Sequence, residues 1–145
     1  MPDKSAIVIG AGIVGLAIAR SLAERNYTVT VFERNEKAVG ASIRNFGMIW
    51  PVGQPNGKLY ERALRSKSIW KQVCAEADLW FNEVGSLHLA YNDHEWNVIQ
   101  EFAEVNKNTR NVSAINANEA LQKSEAVSRQ GLKGALWSED EMIVE

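Results

Sequence analysis

Three glycines near the start of the chain have the spacing of a diphosphate-binding turn. Gly10, Gly12 and Gly15 form a G-x-G-x-x-G pattern. The first glycine permits a tight turn, the second lets a pyrophosphate approach the backbone, and the third lets a helix pack closely on a strand. The free N–H groups and the positive dipole end of that helix would then attract phosphate charge.

A carboxylate follows at the distance that such a site needs. Glu33 lies 18 residues beyond Gly15, and its two oxygens can accept hydrogen bonds from both hydroxyls of a ribose. The pattern therefore predicts a dinucleotide site, and the alternative is a glycine-rich turn without a ligand. Glu33 would repel a 2′-phosphorylated cofactor, although the neighbouring Arg34 weakens that argument.

The local sequence predicts the elements that position these residues. Residues 6–9 are a short apolar run that ends in glycine, which indicates a buried strand. Residues 13–25 carry apolar side chains at helical spacing. Residues 28–32 are β-branched and aromatic and predict a second strand. The order β-α-β implies a right-handed crossover between parallel strands.

The remaining chain predicts a mixed α+β region. Asn56 is expected to cap a helix that ends near residue 77, and Asn92 with Glu95 predicts a capping box on a second helix. The apolar face expected for the first helix consists of Leu59, Ala63, Trp70, Val73 and Ala77. Strands are predicted at 86–91, 112–116, 134–137 and 142–144, and a short helix at 116–126. The change of pattern near Val84 predicts a domain boundary, and the strand at the end predicts a truncated chain.

Composition limits the classes of function. The 145 residues are 46% hydrophobic and 23% charged, with a net charge of −2, which is ordinary for a globular protein and offers no field for nucleic acid. Cys74 is the only cysteine, so we expect a buried, inert thiol and no cysteine metal cluster. No leader pattern or membrane-length apolar run is visible, and we expect a cytoplasmic protein without a membrane span.

A second polar segment, "VGASIRNFGMIW", helps to choose between NAD and FAD. Gly40 and Gly47 bracket the Ser42 hydroxyl, the Arg44 guanidinium and the Asn45 amide. Such a segment can form a second lobe for phosphate or for the polar edge of a ring, which a NAD-binding fold does not require at this place. The alternative is a polar loop in which Arg44 forms a surface ion pair.

The sequence resembles the D-amino acid oxidase/glycine oxidase/sarcosine oxidase superfamily of flavoproteins. The similar segments are "IVIGAGIVGLAIARSLAERNYTVTVFER", "GASIRNFGMI" and "EVGSLHLA". The resemblance implies an α/β fold, with a Rossmann-type FAD-binding unit in residues 1–83 and the start of a mixed α+β substrate domain in residues 84–145. The cofactor-binding residues that it implies are Gly10, Gly12, Gly15, Glu33, Arg34, Ser42, Arg44, Asn45, Gly47 and Met48.

The resemblance also implies a chemistry. Members oxidise small amines or amino acids by hydride transfer to flavin, and dioxygen or another acceptor reoxidises the cofactor. Within the superfamily, "SIRNFGMIWP" and "GSLHLA" look most similar to a branch proposed to oxidise aminophosphonates. Relatives are longer than this chain, so we expect an N-terminal portion that is inactive alone. The alternatives are a NAD-dependent dehydrogenase and a non-catalytic nucleotide-binding fragment.

No catalytic side chain can be assigned from the sequence. His88 lies in a predicted strand, where it could face a substrate or be a packed strand histidine. Trp50 and Tyr91 could line an apolar wall of the flavin site or contribute to the core.

Overall fold

The computed structural model describes residues 4–145. Eight strands and four α-helices are found in this part of the chain, and two 3₁₀ turns cover Ala41–Arg44 and Pro51–Gly53. The strands are β1 (Ser5–Ile9), β2 (Thr28–Phe32), β3 (Met48–Ile49), β4 (Phe81–Asn82), β5 (Ser86–Ala90), β6 (Val112–Asn116), β7 (Gly134–Ser138) and β8 (Met142–Val144). The helices are α1 (Ile13–Ala23), α2 (Lys58–Glu76), α3 (Asp93–Asn106) and α4 (Ala117–Lys123). These elements confirm the predicted α/β class.

The chain divides into two compact units, and the first extends to Phe46. Its strands β1 and β2 are parallel, with Ser5 opposite Thr28 and Ile9 opposite Phe32. Helix α1 connects them, as the sequence predicts, and ends two residues earlier than expected. This unit carries the glycine-rich turn between β1 and α1.

The second unit, Gly47–Glu145, contains two antiparallel sheets, in the orders β3–β8–β4 and β5–β7–β6. Residues of α3 and β7 share one apolar cluster with Val52, and residues of α4 and β7 share another. Two clusters therefore form on β7, because its alternating side chains point to opposite faces of the sheet.

The chain passes from the first compact unit to the second at residue 47, whereas the sequence predicts a change of functional domain near Val84. Strand β8 pairs with β3, before residue 84, and with β4, which also precedes it. Hydrogen bonds of a single strand thus join segments from both sides of the predicted boundary. The assignment of residues 1–83 and 84–145 to two functional domains stays a prediction.

Helix α2 differs from its prediction at its start and on its buried face. Its N-cap is Gly57, with no side-chain cap, because the Asn56 side chain instead bonds Asn106 and Arg110. On the predicted face Ala63, Trp70 and Val73 are half-buried, but Leu59 and Ala77 are exposed. Tyr60 and Cys74, which were not assigned to that face, are buried. The Tyr60 hydroxyl donates to Asp140 at 2.7 Å, and this contact fixes the rotation of the helix about its axis.

Helix α3 confirms its predicted capping box. The Asn92 side chain accepts from the Glu95 amide at 2.9 Å, and the Glu95 carboxylate reaches back to the amide of Asn92. The region expected to be a loop, residues 38–53, contains both 3₁₀ turns and β3. Cys74 is 1% exposed, so the prediction of a buried thiol is confirmed.

Candidate functional site

The turn after β1 begins at a glycine whose backbone conformation other residues tolerate poorly. Gly10 has a φ of 99°, and its N–H donates to the Phe32 carbonyl at 2.7 Å. No atom lies within 4 Å of the position that a Gly10 Cβ would occupy. Glycine is therefore favoured here by its backbone conformation rather than by lack of space.

Close approach requires glycine at position 15 and favours it at position 12, where a Cβ would crowd a side-chain hydroxyl. A Cβ at Gly15 would lie 1.9 Å from the Gly10 carbonyl oxygen, so only glycine lets α1 pack against the turn. A Cβ at Gly12 would lie 3.2 Å from the Ser42 hydroxyl oxygen. The spacing of the pattern therefore fits the tight strand–turn–helix junction that the sequence predicts.

Ser42 lies at the N-terminus of α1. The N-cap residue Gly12 has no side chain to satisfy the first amides of the helix. Instead the Ile13 N–H donates to the Ser42 hydroxyl at 2.9 Å, from a residue 29 positions further along the chain. The 3₁₀ turn at residues 41–44 thus brings a polar group to the positive end of the helix.

Glu33 reaches the same turn from the end of β2. Its Oε2 accepts the Ala11 N–H at 2.9 Å, and its Oε1 accepts the Asn35 N–H at 3.2 Å. These amides, Ala11 first, hold the pKa of Glu33 below its ordinary value of 4.5. A negative charge is thereby fixed beside the glycines. Oε1 also accepts from the Asn35 side-chain amide at 3.4 Å, so Oε2 is the oxygen that keeps a lone pair for a ligand hydroxyl.

A cavity of about 490 Å³ adjoins these residues within the first unit. Gly10, Gly12, Gly15 and Ser42 line its polar part, and side chains of β1 and α1 line the apolar remainder. A dinucleotide diphosphate needs a helix N-terminus, nearby space without Cβ atoms and a hydroxyl, and its ribose needs a carboxylate. All four features meet at this turn. The residues of this turn therefore fit such a cofactor.

Among the described residues, the other predicted site residues show no hydrogen bond to the glycine turn. Arg34 and Arg44 are exposed, and the Asn45 side chain accepts the N–H of Phe46 at 2.9 Å. Gly47 lies in the second unit, where a Cβ would come within 2.0 Å of the Val144 carbonyl oxygen. The pairing of β3 with β8 therefore explains why residue 47 is a glycine. The predicted position of Gly47 and of the exposed Met48 near a flavin stays a prediction.

A polar cluster in the second unit was not foreseen as a group. The His88 ring stacks on Trp50, with ring centres 5.7 Å apart. His88 Nε2 lies 3.0 Å from the Ser86 hydroxyl, which in turn donates to Glu141 Oε2 at 3.1 Å. Glu141 is buried and also accepts the Val52 N–H at 2.9 Å. The sequence indicated His88 and Trp50 separately, and it did not predict that they meet each other, Ser86 and Glu141.

Residues 4–145 offer neither a membrane-spanning helix nor a cluster of metal ligands. No helix in this range is both long enough and apolar enough to cross a membrane. The same residues contain no group of three or more histidine, cysteine, aspartate or glutamate side chains that could hold a metal ion.

The turn and the β-α-β unit define a dinucleotide-binding fold of the Rossmann type. Comparison with known families then identifies the family itself: residues 5–145 match the DAO family, described as FAD dependent oxidoreductase. The chain belongs to this family. The predicted resemblance is thereby confirmed, and so is the prediction of FAD rather than NAD as the cofactor of the family.

Individual relatives support the same fold. L-proline dehydrogenase from P. horikoshii is 31% identical with a TM-score of 0.80, and the match covers 99% of this chain and 39% of that one. Glycine oxidase from Geobacillus kaustophilus is 25% identical with a TM-score of 0.82, covering 97% and 40%. Glycerol 3-phosphate dehydrogenase of Caloramator mitchellensis is 27% identical over 94% of this chain and 29% of its own length. The chain thus spans well under half the length of these relatives.

Proposed function

We propose that this protein uses FAD to oxidise the carbon–nitrogen bond of a small amine or amino acid. The observation that carries the proposal is the meeting of Glu33, Ser42 and the three glycines at one turn. Two of the similar structures, L-proline dehydrogenase and glycine oxidase, are named for substrates that contain an amine. The likeness to these proteins supports an amine as the group that is oxidised.

The residues of the turn take distinct roles in this proposal. The backbone at Gly10 and Gly12 and the N-terminus of α1 hold the diphosphate. Glu33 accepts hydrogen bonds from the ribose of the adenosine. Ser42 gives its hydroxyl to the diphosphate from the 3₁₀ turn, and the remaining candidates are assigned to the flavin side. These are Arg34, Arg44, Asn45, Gly47 and Met48.

FAD held at this turn would supply the redox chemistry, as the acceptor of a hydride from the carbon that bears the amine. The chain contributes binding and orientation. The Glu33 carboxylate and the amides of the α1 N-terminus contact opposite kinds of group, hydroxyl donors and anionic oxygens. Together they fix the direction in which the cofactor lies along the turn.

Two narrower readings concern the substrate. The segments "SIRNFGMIWP" and "GSLHLA" favour an aminophosphonate, by their similarity to a branch proposed to oxidise such compounds. The match to a glycerol 3-phosphate dehydrogenase favours a second candidate function, the oxidation of a carbon–oxygen bond in a phosphorylated alcohol.

Cofactor binding is tested first with the purified chain. We expect added FAD to bind, with loss of flavin fluorescence, and expect Gly12→Glu to abolish binding because it adds bulk and negative charge beside Ser42. Gly40→Ala is the matched control, since no atom lies within 4 Å of its Cβ position. Equal FAD binding by Gly12→Glu and the unaltered chain would contradict the assignment of the site.

Turnover is tested with the open reading frame that contains these residues, expressed from its first to its last codon. The flavin is followed by its visible absorbance under anaerobic conditions with glycine, L-proline, 2-aminoethylphosphonate and glycerol 3-phosphate. Bleaching by an amine supports the proposal, and bleaching by the aminophosphonate alone supports the narrower reading. Bleaching by glycerol 3-phosphate alone would favour the second candidate function.

A further inference from the structure

Four groups of the second unit form a continuous line of contacts that ends on a histidine ring. The Val52 N–H donates to Glu141 Oε1 at 2.9 Å, and the Ser86 hydroxyl donates to Glu141 Oε2 at 3.1 Å. Ser86 Oγ also lies 3.0 Å from His88 Nε2. Glu141 is 3% exposed, so its position is fixed by these two donors rather than by solvent.

The directions of these hydrogen bonds follow from the donors available. A carboxylate only accepts, and a serine hydroxyl has a single proton to donate. Because Ser86 gives its proton to Glu141, its oxygen can only accept at the other side. The proton between Ser86 and His88 must therefore belong to Nε2, which selects the Nε2–H form of the ring.

The surroundings of His88 favour its neutral form. Burial lowers the pKa of His88, and the negative charge of Glu141 offsets this only in part. The other two neighbours, Ser86 on the same strand and Trp50 from the segment after β3, are uncharged. A neutral ring with its proton on Nε2 carries a lone pair on Nδ1, and no described residue donates a hydrogen bond to that atom.

We propose that His88 is the group that accepts a hydrogen bond or a proton from the amine of the substrate, through Nδ1, with Ser86 and Glu141 as positioning residues. This inference rests on the proposed oxidation of an amine. An ammonium substrate donates a hydrogen bond to Nδ1. When that proton is transferred, the substrate becomes a free amine and His88 becomes an imidazolium that still donates from Nε2 to Ser86. The charge of Glu141 then stabilises the imidazolium through Ser86.

The arrangement also selects against other ligands. A neutral acceptor does not attract a carboxylate or a phosphonate, so His88 recognises the amine end of a substrate and not an acidic end. The stacked Trp50 ring restricts the imidazole plane, and the direction of the Nδ1 lone pair is thereby fixed as well.

The protonation state can be read directly by nuclear magnetic resonance. The chain has two histidines, and in a sample with ¹⁵N-labelled histidine the bare and protonated ring nitrogens resonate far apart. We expect a protonated Nε2 and a bare Nδ1 at His88 near neutral pH, with His94 as the internal reference and His88→Gln for assignment. A protonated Nδ1 in the unaltered chain would overturn the proposal.

Glu141→Gln should reverse the relay without changing its shape. The amide oxygen of glutamine replaces Oε1 and accepts from Val52, so its NH₂ group faces Ser86 and donates to it. Ser86 then donates to Nε2, and the proton of His88 moves to Nδ1. Ser86→Ala removes the link, so both forms should be populated, and adding Glu141→Gln to Ser86→Ala should change nothing further. Retention of the Nε2–H form in both Glu141→Gln and Ser86→Ala would overturn the proposal.

Recognition of the amine is tested on the same samples with methylammonium chloride, against potassium chloride and methylphosphonate at equal ionic strength. We expect the Nδ1 resonance to move with methylammonium in the unaltered chain and to stay in place in Glu141→Gln. A response to methylphosphonate, or no response to methylammonium, would refute recognition of an amine. FAD binding is measured in parallel, so that loss of the cofactor site and loss of the His88 relay are told apart.

Discussion

The two compact units differ in how they bury their apolar side chains. In the described residues up to Phe46, only Val8 is buried, while Ile7, Ile9 and Val14 are between 69% and 87% exposed. In residues 47–145, Val52, Ala103 and Leu136 form one buried cluster and Ala120, Leu132 and Ala135 form another. The unit with the cofactor turn therefore has little core of its own.

The two units are therefore stabilised by different interactions. The second unit is stabilised by burial of apolar area and by a hydrogen-bonded arginine. The first unit depends on backbone geometry at its glycines and on contacts made by Glu33 and Ser42. A ligand that binds such a turn stabilises it by mass action, so FAD should protect the first unit more than the second.

The largest effect is expected from Arg110→Ala in the second unit. The buried guanidinium donates to the carbonyls of Val52 and Gln54 at 2.9 Å and 2.6 Å and lies 4.1 Å from the centre of the Tyr60 ring. Its removal leaves buried acceptors without donors, which should lower the free energy of unfolding by about 3 kcal/mol. Urea unfolding followed by tryptophan emission measures this unit alone, because all five tryptophans follow residue 46. Exposed Arg62→Ala is the control, and equal losses in both variants would contradict the role of Arg110.

A smaller effect, confined to the first unit, is expected from Gly15→Ala. The added Cβ would lie 1.9 Å from the Gly10 carbonyl oxygen, and relief of that contact should cost about 1–3 kcal/mol. Amide hydrogen exchange in β1 and β2 should accelerate by about tenfold to a hundredfold, and FAD binding should weaken. Gly40→Ala has free space and should leave exchange unchanged. If the amides of β1 and β2 exchange as slowly in Gly15→Ala as in Gly40→Ala, the close packing of α1 does not stabilise the turn.

Asn92→Ala should have a smaller effect still, now in the second unit. It removes the side chain that accepts from the Glu95 amide at the start of α3, which should lower the free energy of unfolding by about 1 kcal/mol. Asn92→Asp keeps an acceptor and should restore most of the loss. Urea unfolding by tryptophan emission measures both variants, and a loss in Asn92→Asp as large as that in Asn92→Ala would argue against the cap.

The sequence predictions were right where the interacting residues are close along the chain and wrong where they are far apart. The capping box of Asn92 and the turn at Gly10 depend on neighbours within a few residues, and both were predicted. Asn56 was wrongly expected to cap α2 because its side chain is engaged by Asn106 and Arg110, about fifty residues away. The buried face of α2 was wrong only in part. Ala63, Trp70 and Val73 are half-buried on the predicted face, but Tyr60, whose hydroxyl donates to Asp140, is buried where Leu59 was expected to be.

The candidate site shows the same limit. Gly12, Gly15 and Glu33 follow a spacing that can be read along the chain, and their meeting at one turn agrees with that reading. The contact of Ser42 with the Ile13 amide spans 29 residues, and that of Glu141 with Val52 spans 89. Neither has a local pattern, because each depends on how separate elements pack. Ser42 was found only through the resemblance and its polar segment, and Glu141 was not found at all.

The smallest expected effect is a difference between the two units in how the amide resonances next to two glutamates depend on pH. Glu33 in the first unit is half-buried and Glu95 in the second is exposed. The pKa of each carboxylate is lowered chiefly by a backbone amide, that of Ala11 for Glu33 and that of Tyr91 for Glu95. A lowered pKa in the folded state means that the stabilisation is present above the unfolded value and is lost as the pH falls through the folded value. The Ala11 and Tyr91 amide resonances should therefore each titrate with a midpoint below 4.5.

The midpoints of the two titrations should respond differently when FAD is added. Ribose hydroxyls that donate to Glu33 stabilise its charged form, so FAD should lower the Ala11 midpoint further and leave the Tyr91 midpoint in place. Glu33→Gln should remove the Ala11 titration only, which assigns it. An equal shift of both midpoints, or of neither, would mean that the Glu33 carboxylate does not contact the cofactor, and the first unit would then bind FAD through its glycines and helix N-terminus alone.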